Sequence, residues 1–304
     1  MLEAIGNTPL VQLSKIVPAG AARVFVKLEY FNPTGSYKDR MALSTIEGAE
    51  RKGNLKPGMR VVEYTGGSTG SSLAFVCAVK GYRFTPISSD AFAREKLDTM
   101  RAFGGDLLMV PSEGGKITAE LFARFRAAVA RETAQPDVFW ADQFHNPDVV
   151  VGYAPMGREL IAQLGTGITA FCAAVGSGGM LAGVSQALRA GGCGARIVAL
   201  EPAESPVLST GHGGAHRVEG VGVGFVPQHA QPGAYDEVRT VREAEARAMA
   251  RRLAREEGIF AGTSSGLNVC AAVALAQELG PDATVVTVAV DSGLKYLSGD
   301  LYTD

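Results

Sequence analysis

The sequence is poor in the residue types that build disulfide frameworks and metal centres. Only four of its 304 residues are cysteine and four are histidine. The cysteines lie far apart and form no C-x-x-C pair, which excludes a disulfide framework and a zinc site of that kind. The histidines are scattered, and around His212 and His216, which share a glycine-rich segment, no carboxylate or cysteine spacing completes a ligand set, so no metal site is expected.

Long apolar runs and an excess of one charge are also missing. No stretch of about 18 apolar residues occurs, so a membrane-spanning helix is not expected. The net charge is −2 and basic residues form no stripe, which argues against nucleic acid as a partner. The first ten residues, MLEAIGNTPL, do not resemble a secretory signal, and we expect a cytoplasmic protein.

Glycine is what the sequence has in excess. It contributes 38 residues, about one in eight, where about one in fourteen is usual. Many of these glycines follow apolar, β-branched runs in short clusters. This arrangement predicts loops at the ends of strands.

Hydrophobic periodicity predicts strands that alternate with helices. The predicted strands are Arg23–Leu28, Arg60–Glu63, Arg83–Ile87, Asp106–Val110, Ala170–Val175, Arg196–Leu200 and Thr284–Val290. The predicted helices are Ser36–Lys52, Thr69–Lys80, Arg94–Phe103, Ile117–Thr133, Pro147–Leu164, Met180–Ala190, Val241–Glu257 and Ser265–Leu279. Strands joined through helices form mostly parallel sheets covered on both faces, so the class is α/β.

The loops that follow these strands are expected to carry the chemistry, because ligands of α/β sheets bind at the carboxyl ends of strands. In the first loop, Asn32–Arg40, Ser36 can cap the next helix and Lys38 lies in its first turn. A cation is unfavourable at that end of a helix dipole. Lys38 is therefore either an exposed surface lysine or an amine that does covalent work.

Three further loops are rich in glycine and hydroxyl groups. Thr65–Gly70 opens a helix and suits a carboxylate or phosphate, although it could be a capped turn. Gly176–Gly179 follows a strand in the manner of a phosphate cradle, and Glu201 ends the next strand. That pair suggests a dinucleotide-binding site as an alternative, weakened because Leu181 stands where the G-x-G-x-x-G pattern needs glycine. In Gly262–Gly266 a serine can donate a hydroxyl.

Four such loops and one misplaced lysine suit an anionic cofactor that bears an aldehyde. The motifs, in this order, resemble those of the cysteine synthase family, which comprises O-acetylserine sulfhydrylases and the core of cystathionine β-synthases. They are IGNTPL (5–10), KLEYFNPTGSYKDR (27–40), TGGSTG (65–70), QFHNP (143–147), VGSGG (175–179), EPAESPVL (201–208), EGVGVGF (219–225), GTSSG (262–266) and DSGLKYL (291–297).

The resemblance implies a fold-type II enzyme, similar to the tryptophan synthase β subunit, that uses pyridoxal 5′-phosphate. It implies two interwoven three-layer α/β domains with mostly parallel twisted sheets: residues 1–38 with 146–304 bind the cofactor, and residues 39–145 form a smaller inserted domain. It also implies a homodimer that acts on a small amino-acid substrate.

The resemblance also assigns roles to individual residues. Lys38 would hold the cofactor as a Schiff base and then act as the base. The other expected cofactor contacts are Ser68, Gly176, Ser177, Gly178, Gly179, Ser264 and, as the second choice, Ser265. The expected substrate contacts are Thr65, Gly66, Gly67, Ser68, Thr69 and Gln143, with Gly222 at the border of the site.

The implied reaction is β-replacement on an O-activated serine through an α-aminoacrylate, with sulfide or a thiol as acceptor. The second loop departs from the usual T-S-G-N-T-G of the family, because Gly66 replaces the serine and Ser68 the asparagine. These changes leave open a β-eliminating lyase or dehydratase, of the desulfhydrase or serine/threonine deaminase type. A nicotinamide-dependent oxidoreductase and a non-catalytic binding protein are more distant alternatives.

Overall fold

The computed structural model describes residues 1–115 and 118–303. Within these ranges the strands are β1 (Leu10–Gln12), β2 (Arg23–Leu28), β3 (Arg60–Tyr64), β4 (Arg83–Ser88), β5 (Leu108–Met109), β6 (Val138–Trp140), β7 (Ala170–Ala174), β8 (Arg196–Pro202), β9 (Glu237–Val241) and β10 (Thr284–Ala289). The α-helices are α1 (Lys38–Arg51), α2 (Ser68–Lys80), α3 (Arg94–Ala102), α4 (Ala119–Thr133), α5 (Asp148–Leu164), α6 (Gly179–Ala190), α7 (Val207–Thr210), α8 (Glu243–Arg252) and α9 (Thr263–Leu279).

The alternation of strands and helices confirms the predicted α/β class. Backbone contacts group the chain into two compact units: residues 1–5 with 38–152, and residues 6–37 with 153–304. Residues 1–5, Lys38 and residues 146–152 thus group with the segment that the sequence analysis assigned to the inserted domain. The assignment of one domain to the cofactor and the other to the substrate stays a prediction.

The first unit contains a four-stranded sheet in the order β5-β4-β3-β6, and all of its strand pairs are parallel. Its central strand β3 is buried along most of its length, with Val61 and Val62 fully covered. Strand β3 ends at Tyr64, so the Thr65–Gly70 loop begins at the carboxyl end of a buried central strand.

The second unit contains a six-stranded sheet in the order β1-β2-β10-β7-β8-β9. Only the edge strand β1 runs antiparallel to its neighbour. The central strands β10 and β7 are buried at every residue, as expected for a parallel sheet with both faces covered.

A buried asparagine on α9 joins two strands of this second sheet. Asn268 is fully buried, and its Oδ1 accepts a hydrogen bond from the backbone N–H of Ala174 at 2.8 Å. Its Nδ2 donates to the carbonyl of Val288 at 2.9 Å. The amide therefore fixes the end of β7 against that of β10, next to the Gly176–Gly179 loop.

Several predicted boundaries were wrong. The predicted strand Asp106–Val110 shortens to β5, and the predicted helix Val241–Glu257 is preceded by β9 and begins at Glu243. The predicted helix start at Ile117 lies outside the described residues. Ser36 does not begin a helix but forms a bridge with Asp291, and α1 begins at Lys38.

Three strands have no counterpart in the sequence prediction. β1 and β6 span three residues each, too few to show a two-residue period. β9 lies at the sheet edge and is largely polar, so its side chains carry no burial pattern.

The described residues contain no helix that is long and apolar enough to cross a bilayer. Among the same residues no group of three or more histidine, cysteine, aspartate or glutamate side chains could hold a metal ion. All four cysteines are free thiols, and three of them are buried.

Substitution of Asn268 tests the role of this amide in the second unit. We expect Asn268→Ala to lower the free energy of unfolding by about 2–4 kcal/mol, because a buried N–H and a buried carbonyl each lose their partner. Urea denaturation measures this difference. Gln277→Ala, at an exposed site on the same helix, serves as control and should change stability by less than about 0.5 kcal/mol. Equal effects of the two substitutions would contradict the assignment.

Candidate active site

The side chain of Thr65 shapes the Thr65–Gly70 loop of the first unit. Its Oγ1 accepts hydrogen bonds from the backbone N–H groups of Gly67 at 3.2 Å and Gly70 at 3.1 Å. The backbone N–H of Thr65 also donates to the carbonyl of Ile87 at 2.9 Å. Helix α2 then begins at Ser68, and its N-cap residue, Gly67, supplies no side-chain cap. The Gly70 N–H of the first turn is already bonded to Thr65, so an anionic ligand would be bound by the preceding N–H groups of that turn.

Gln143 lies against this loop although it is distant in sequence. Its Oε1 accepts a hydrogen bond from Thr69 Oγ1 at 2.8 Å, and its Nε2 donates to the carbonyl of Tyr64 at 3.3 Å. Thr65, Thr69 and Gln143 are all buried. The structure thus brings together these residues, which the sequence analysis assigned to the substrate, and Ser68 lies half-buried beside them at the start of α2.

Glu63 is a buried acid that sequence reasoning missed. It is fully buried at the end of β3, and its Oε2 accepts a hydrogen bond from the backbone N–H of Gln143 at 3.1 Å. Burial, and less strongly the Asp142 carboxylate, raise the pKa of Glu63 to about 8, although the hydrogen bond from the Gln143 N–H acts in the opposite direction. Glu63 therefore positions Gln143 from within the sheet.

Lys38 is the first residue of α1 and belongs to the same unit as this loop. Lys38 is only 8% exposed, whereas the side chain of a surface lysine would be largely exposed. Asp39 and Arg40, which follow it, are also buried. The surface alternative for Lys38 is therefore wrong.

In the second unit, the Gly176–Gly179 loop follows β7 and opens α6. A Cβ on Gly176 would lie 2.3 Å from the carbonyl oxygen of Gly220, and one on Gly178 would lie 2.7 Å from the backbone nitrogen of Ala230. Gly178 also has a φ of +82°. Both positions therefore require glycine. The N-cap residue of α6, Gly178, supplies no side-chain cap, and the Gly179 N–H makes only a long bond of 3.5 Å to the buried Ser177 Oγ, so the first turn of α6 can still serve an anionic ligand.

Gly222 lies beside this loop within the second unit. Its N–H donates to the carbonyl of Val175 at 3.1 Å, and its φ is +60°. A Cβ there would lie 2.5 Å from Nε2 of His216, which also contacts the Gly222 carbonyl at 3.1 Å. His216 thus supports the backbone next to the cradle, a contact that the sequence analysis missed.

The two candidate serines of α9 have different surroundings. Ser265 Oγ accepts a hydrogen bond from the backbone N–H of Val290 at 2.9 Å and so joins α9 to the end of β10. Ser264 is 2% exposed, and its hydroxyl makes no hydrogen bond with any other residue in the described parts of the chain. Ser264 is thus the better candidate for a ligand contact.

Glu201 is not placed as a dinucleotide-binding acid. Its carboxylate accepts hydrogen bonds from the backbone N–H groups of Leu208 at 2.7 Å and Ser209 at 3.0 Å, and from the Ser209 hydroxyl. The residue is 2% exposed. Glu201 therefore caps the short helix α7. Its carboxylate is not available to bind a ribose, as the nicotinamide alternative requires.

These features fit pyridoxal phosphate. A phosphate suits the Gly176–Gly179 cradle. Its glycines leave no room for a Cβ at Gly176 or Gly178, and α6 begins there without a side-chain cap from its N-cap residue. A pyridine nitrogen suits the buried, neutral hydroxyl of Ser264. An aldehyde requires a buried amine such as Lys38.

The raised pKa of Glu63 makes stability depend on pH. Below about pH 4.5 the carboxyl is protonated in the folded and the unfolded chain, so it adds no pH dependence. Between that pH and about 8 the unfolded chain ionises while the folded chain keeps its proton. The free energy of unfolding should therefore fall as the pH rises through this window, by up to about 1.4 kcal/mol per pH unit.

Glu63→Gln should reduce this slope, because the amide oxygen still accepts the bond from Gln143 but does not ionise. Chemical denaturation at several pH values between 5 and 8 measures the slope. Glu3→Gln, at an exposed site in the same unit, should retain the slope of the unmodified protein. An unchanged slope in Glu63→Gln would show that other groups cause the dependence.

Comparison with known proteins agrees with the motifs. Residues 1–291 match the family model of pyridoxal-phosphate dependent enzymes. A cysteine synthase of Staphylococcus aureus is 44% identical over 304 residues, which cover 99% of this chain and 96% of the relative. The structure of a cysteine synthase from Entamoeba histolytica matches with a TM-score of 0.91 and 34% identity, over 100% of this chain and 90% of that one. An O-ureido-L-serine synthase matches with a TM-score of 0.89 and 38% identity, over 99% and 94%. The chain therefore belongs to the pyridoxal-phosphate dependent enzymes of fold type II, within the cysteine synthase family.

Proposed function

We propose that this enzyme replaces the β-substituent of an O-activated L-serine with sulfide or another thiol. The observation that carries the proposal is Lys38, a buried amine at the first position of α1 in a chain whose family binds an aldehyde cofactor. The similarity to cysteine synthases supports the choice of substrate.

The second unit supplies the residues for the phosphate and the ring. The backbone N–H groups at the start of α6 and the Ser177 hydroxyl, which accepts a long bond of 3.5 Å from the Gly179 N–H, would hold the phosphate. Pyridoxal phosphate, when bound, draws electron density away from the substrate Cα and makes its proton acidic. The neutral Ser264 hydroxyl would face the ring nitrogen and, unlike a carboxylate, would not keep it protonated. The ring would then withdraw electrons less strongly, which would favour loss of a β-substituent.

The first unit supplies the residues for the substrate carboxylate. Thr69 and Gln143 are hydrogen-bonded to each other at the start of α2, and Thr65 holds the backbone of the same loop through the Gly70 N–H. The amino terminus of α2 adds a positive potential. Together they orient the amino acid so that its α-proton faces the base.

Lys38 serves as that base. With the cofactor bound, Lys38 would hold it in the resting enzyme, and the amine, once displaced by the incoming amino acid, would take the proton from Cα. Burial keeps the amine away from bulk water and lets it return the proton at the end of the reaction.

A β-eliminating activity is the second candidate. It is favoured by the loop itself, because Gly66 and Ser68 replace the serine and asparagine usual in the family. Fewer hydrogen bonds in this loop would hold aminoacrylate less tightly and let it leave before a thiol adds, and the released compound is hydrolysed by water to pyruvate and ammonia.

We also propose that the enzyme acts as a homodimer in the cytoplasm. The family resemblance supports the dimer, and four free thiols without a bridge fit a reducing compartment. Light scattering coupled to size-exclusion chromatography tests the mass, and a monomer at micromolar concentration would contradict the dimer.

Borohydride reduction of the purified enzyme tests the cofactor assignment. The pyridoxyl label should appear on the peptide that contains Lys38. Lys38→Ala should lose the label and at least about 10³-fold in kcat/KM, because both the attachment point and the base are removed. Lys96→Ala is a control at another buried lysine of the same unit and should keep the label. A label on any lysine other than Lys38 would overturn the assignment.

Product analysis separates replacement from elimination. With O-acetyl-L-serine and sulfide, we expect cysteine as the main product and little pyruvate. Pyruvate and ammonia formed at the same rate with and without sulfide would instead establish the eliminating activity.

A further inference from the structure

A buried carboxylate in the second unit joins Thr8 of the IGNTPL motif to Asn32 of the KLEYFNPTGSYKDR motif. Glu29 follows β2 directly and is fully buried. Its Oε1 accepts a hydrogen bond from Thr8 Oγ1 at 2.6 Å, and its Oε2 accepts one from Nδ2 of Asn32 at 2.9 Å. Thr8 and Asn32 are buried as well. A carboxylate so far from water needs such donors, so the contact fixes all three side chains.

The side chain of Asn32 is bonded at each of its polar atoms. Its Nδ2 also donates to the backbone carbonyl of Glu29 at 2.7 Å, and its Oδ1 accepts a hydrogen bond from the N–H of Gly6 at 2.8 Å. Gly6 and Asn7 have φ values of +93° and +47°, so the chain makes a sharp turn where it meets Asn32. The position of Asn32 is therefore set by the buried carboxylate and by this turn.

The segment that begins at Asn32 is held at its other end too. The carbonyl of Gly35 accepts a hydrogen bond from the N–H of Ser292 at 3.0 Å, and the N–H of Tyr37 donates to the carbonyl of Val290 at 3.1 Å. Tyr37 is the last residue of this segment in the second unit. Both ends of the segment are thus fixed within the unit that contains the phosphate cradle.

We propose that Glu29 is a positioning residue for Lys38 that acts through Asn32, and this inference rests on the proposed function. The peptide bond after Tyr37 leads directly to Lys38, so the segment determines the point from which the lysine extends. In attachment of the cofactor, the neutral amine adds to the aldehyde carbon, a C=N bond forms and the aldehyde oxygen leaves as water. A misplacement of about 1 Å can slow such a step about 100-fold.

Thr8 provides a matched control, because it bonds the same carboxylate but lies outside the segment. Its backbone is held independently of Glu29, since its carbonyl accepts hydrogen bonds from Nζ of Lys27 at 2.7 Å and from Nε2 of Gln163 at 3.2 Å. Thr8→Val therefore removes one hydrogen bond from Glu29 and leaves the bond between Glu29 and Asn32 in place.

Attachment of pyridoxal phosphate to the apoprotein tests the inference without turnover. The first-order rate constant at saturating cofactor is measured by absorbance, and borohydride labelling identifies the lysine. The rate constant should fall at least about 10-fold in Glu29→Ala and in Asn32→Ala. The Glu29→Ala/Asn32→Ala protein should lie within about 3-fold of the slower single variant, because both substitutions remove the same contact.

Two variants should keep the rate constant within about 3-fold of that of the unmodified protein. Glu29→Gln is expected to do so because its amide can accept a hydrogen bond from Asn32 and donate one to the Thr8 hydroxyl. Thr8→Val is expected to do so because the contact to Asn32 remains.

The inference is overturned by an unchanged rate constant in Asn32→Ala, which keeps the carboxylate and so remains informative where Glu29→Ala does not fold. It is also overturned by multiplicative effects in the double variant. A loss in Thr8→Val as large as that in Glu29→Ala would show that the network only stabilises the unit.

Hydrogen exchange in the apoprotein separates this inference from the proposed function. Relative to the amides of α6, those of residues 34–37 should exchange at least about 10-fold faster in Glu29→Ala and Asn32→Ala, and less than about 2-fold faster in Thr8→Val. If no cofactor attaches to Lys38, the proposed function is wrong, and unchanged exchange in Glu29→Ala then contradicts the role of Glu29 as well. If the enzyme is active and labelled on Lys38 but neither exchange nor the rate constant changes in Glu29→Ala, only the inference is wrong.

Discussion

Parallel pairing of buried strands is the constraint on which this molecule depends. A parallel strand pair requires a crossover, and the crossovers here are helices, so nearly every strand end becomes the start of a helix. The N-cap residues of α2 and α6 supply no side-chain cap, so backbone N–H groups of their first turns can bind an anion. The ability to bind anions thus follows from the sheet topology. It needs no cationic side chain at the loops themselves.

Glycine serves two purposes in these loops. At Gly176 and Gly178 the neighbouring backbone approaches so closely that no side chain fits, which keeps side chains out of the proposed phosphate cradle. At Gly66 it is the phenyl ring of Phe92 that takes the space. The same residue type therefore marks an intact element of the family's site in one unit and a departure from it in the other, and only the neighbouring atoms distinguish the two.

Buried polar side chains connect the strands to the site. Asn268 joins β7 to β10 immediately before the cradle, and Glu63 fixes Gln143 from the end of β3. Neither residue is a proposed contact of the cofactor or the substrate, yet each determines where a ligand-binding group lies. The energetic cost of burial differs between them. The Asn268 amide makes two neutral hydrogen bonds, whereas Glu63 stays protonated at pH values well above its usual pKa.

The sequence by itself determined the α/β class, most of the helices, and the residues of the Lys38, Thr65–Gly70 and Gly176–Gly179 loops, because periodicity and glycine clusters are local signals. The sequence did not predict the short or polar strands β1, β6 and β9, because their formation depends on pairing with strands elsewhere in the chain. Only the tertiary structure decided that Glu201 caps a helix and that the Phe92 ring lies next to Gly66. It also showed that the Ser265 hydroxyl bonds to the backbone, whereas the Ser264 hydroxyl has no hydrogen-bond partner among the described residues. Each of these outcomes depends on which atoms meet in space, and residue type and spacing do not encode that.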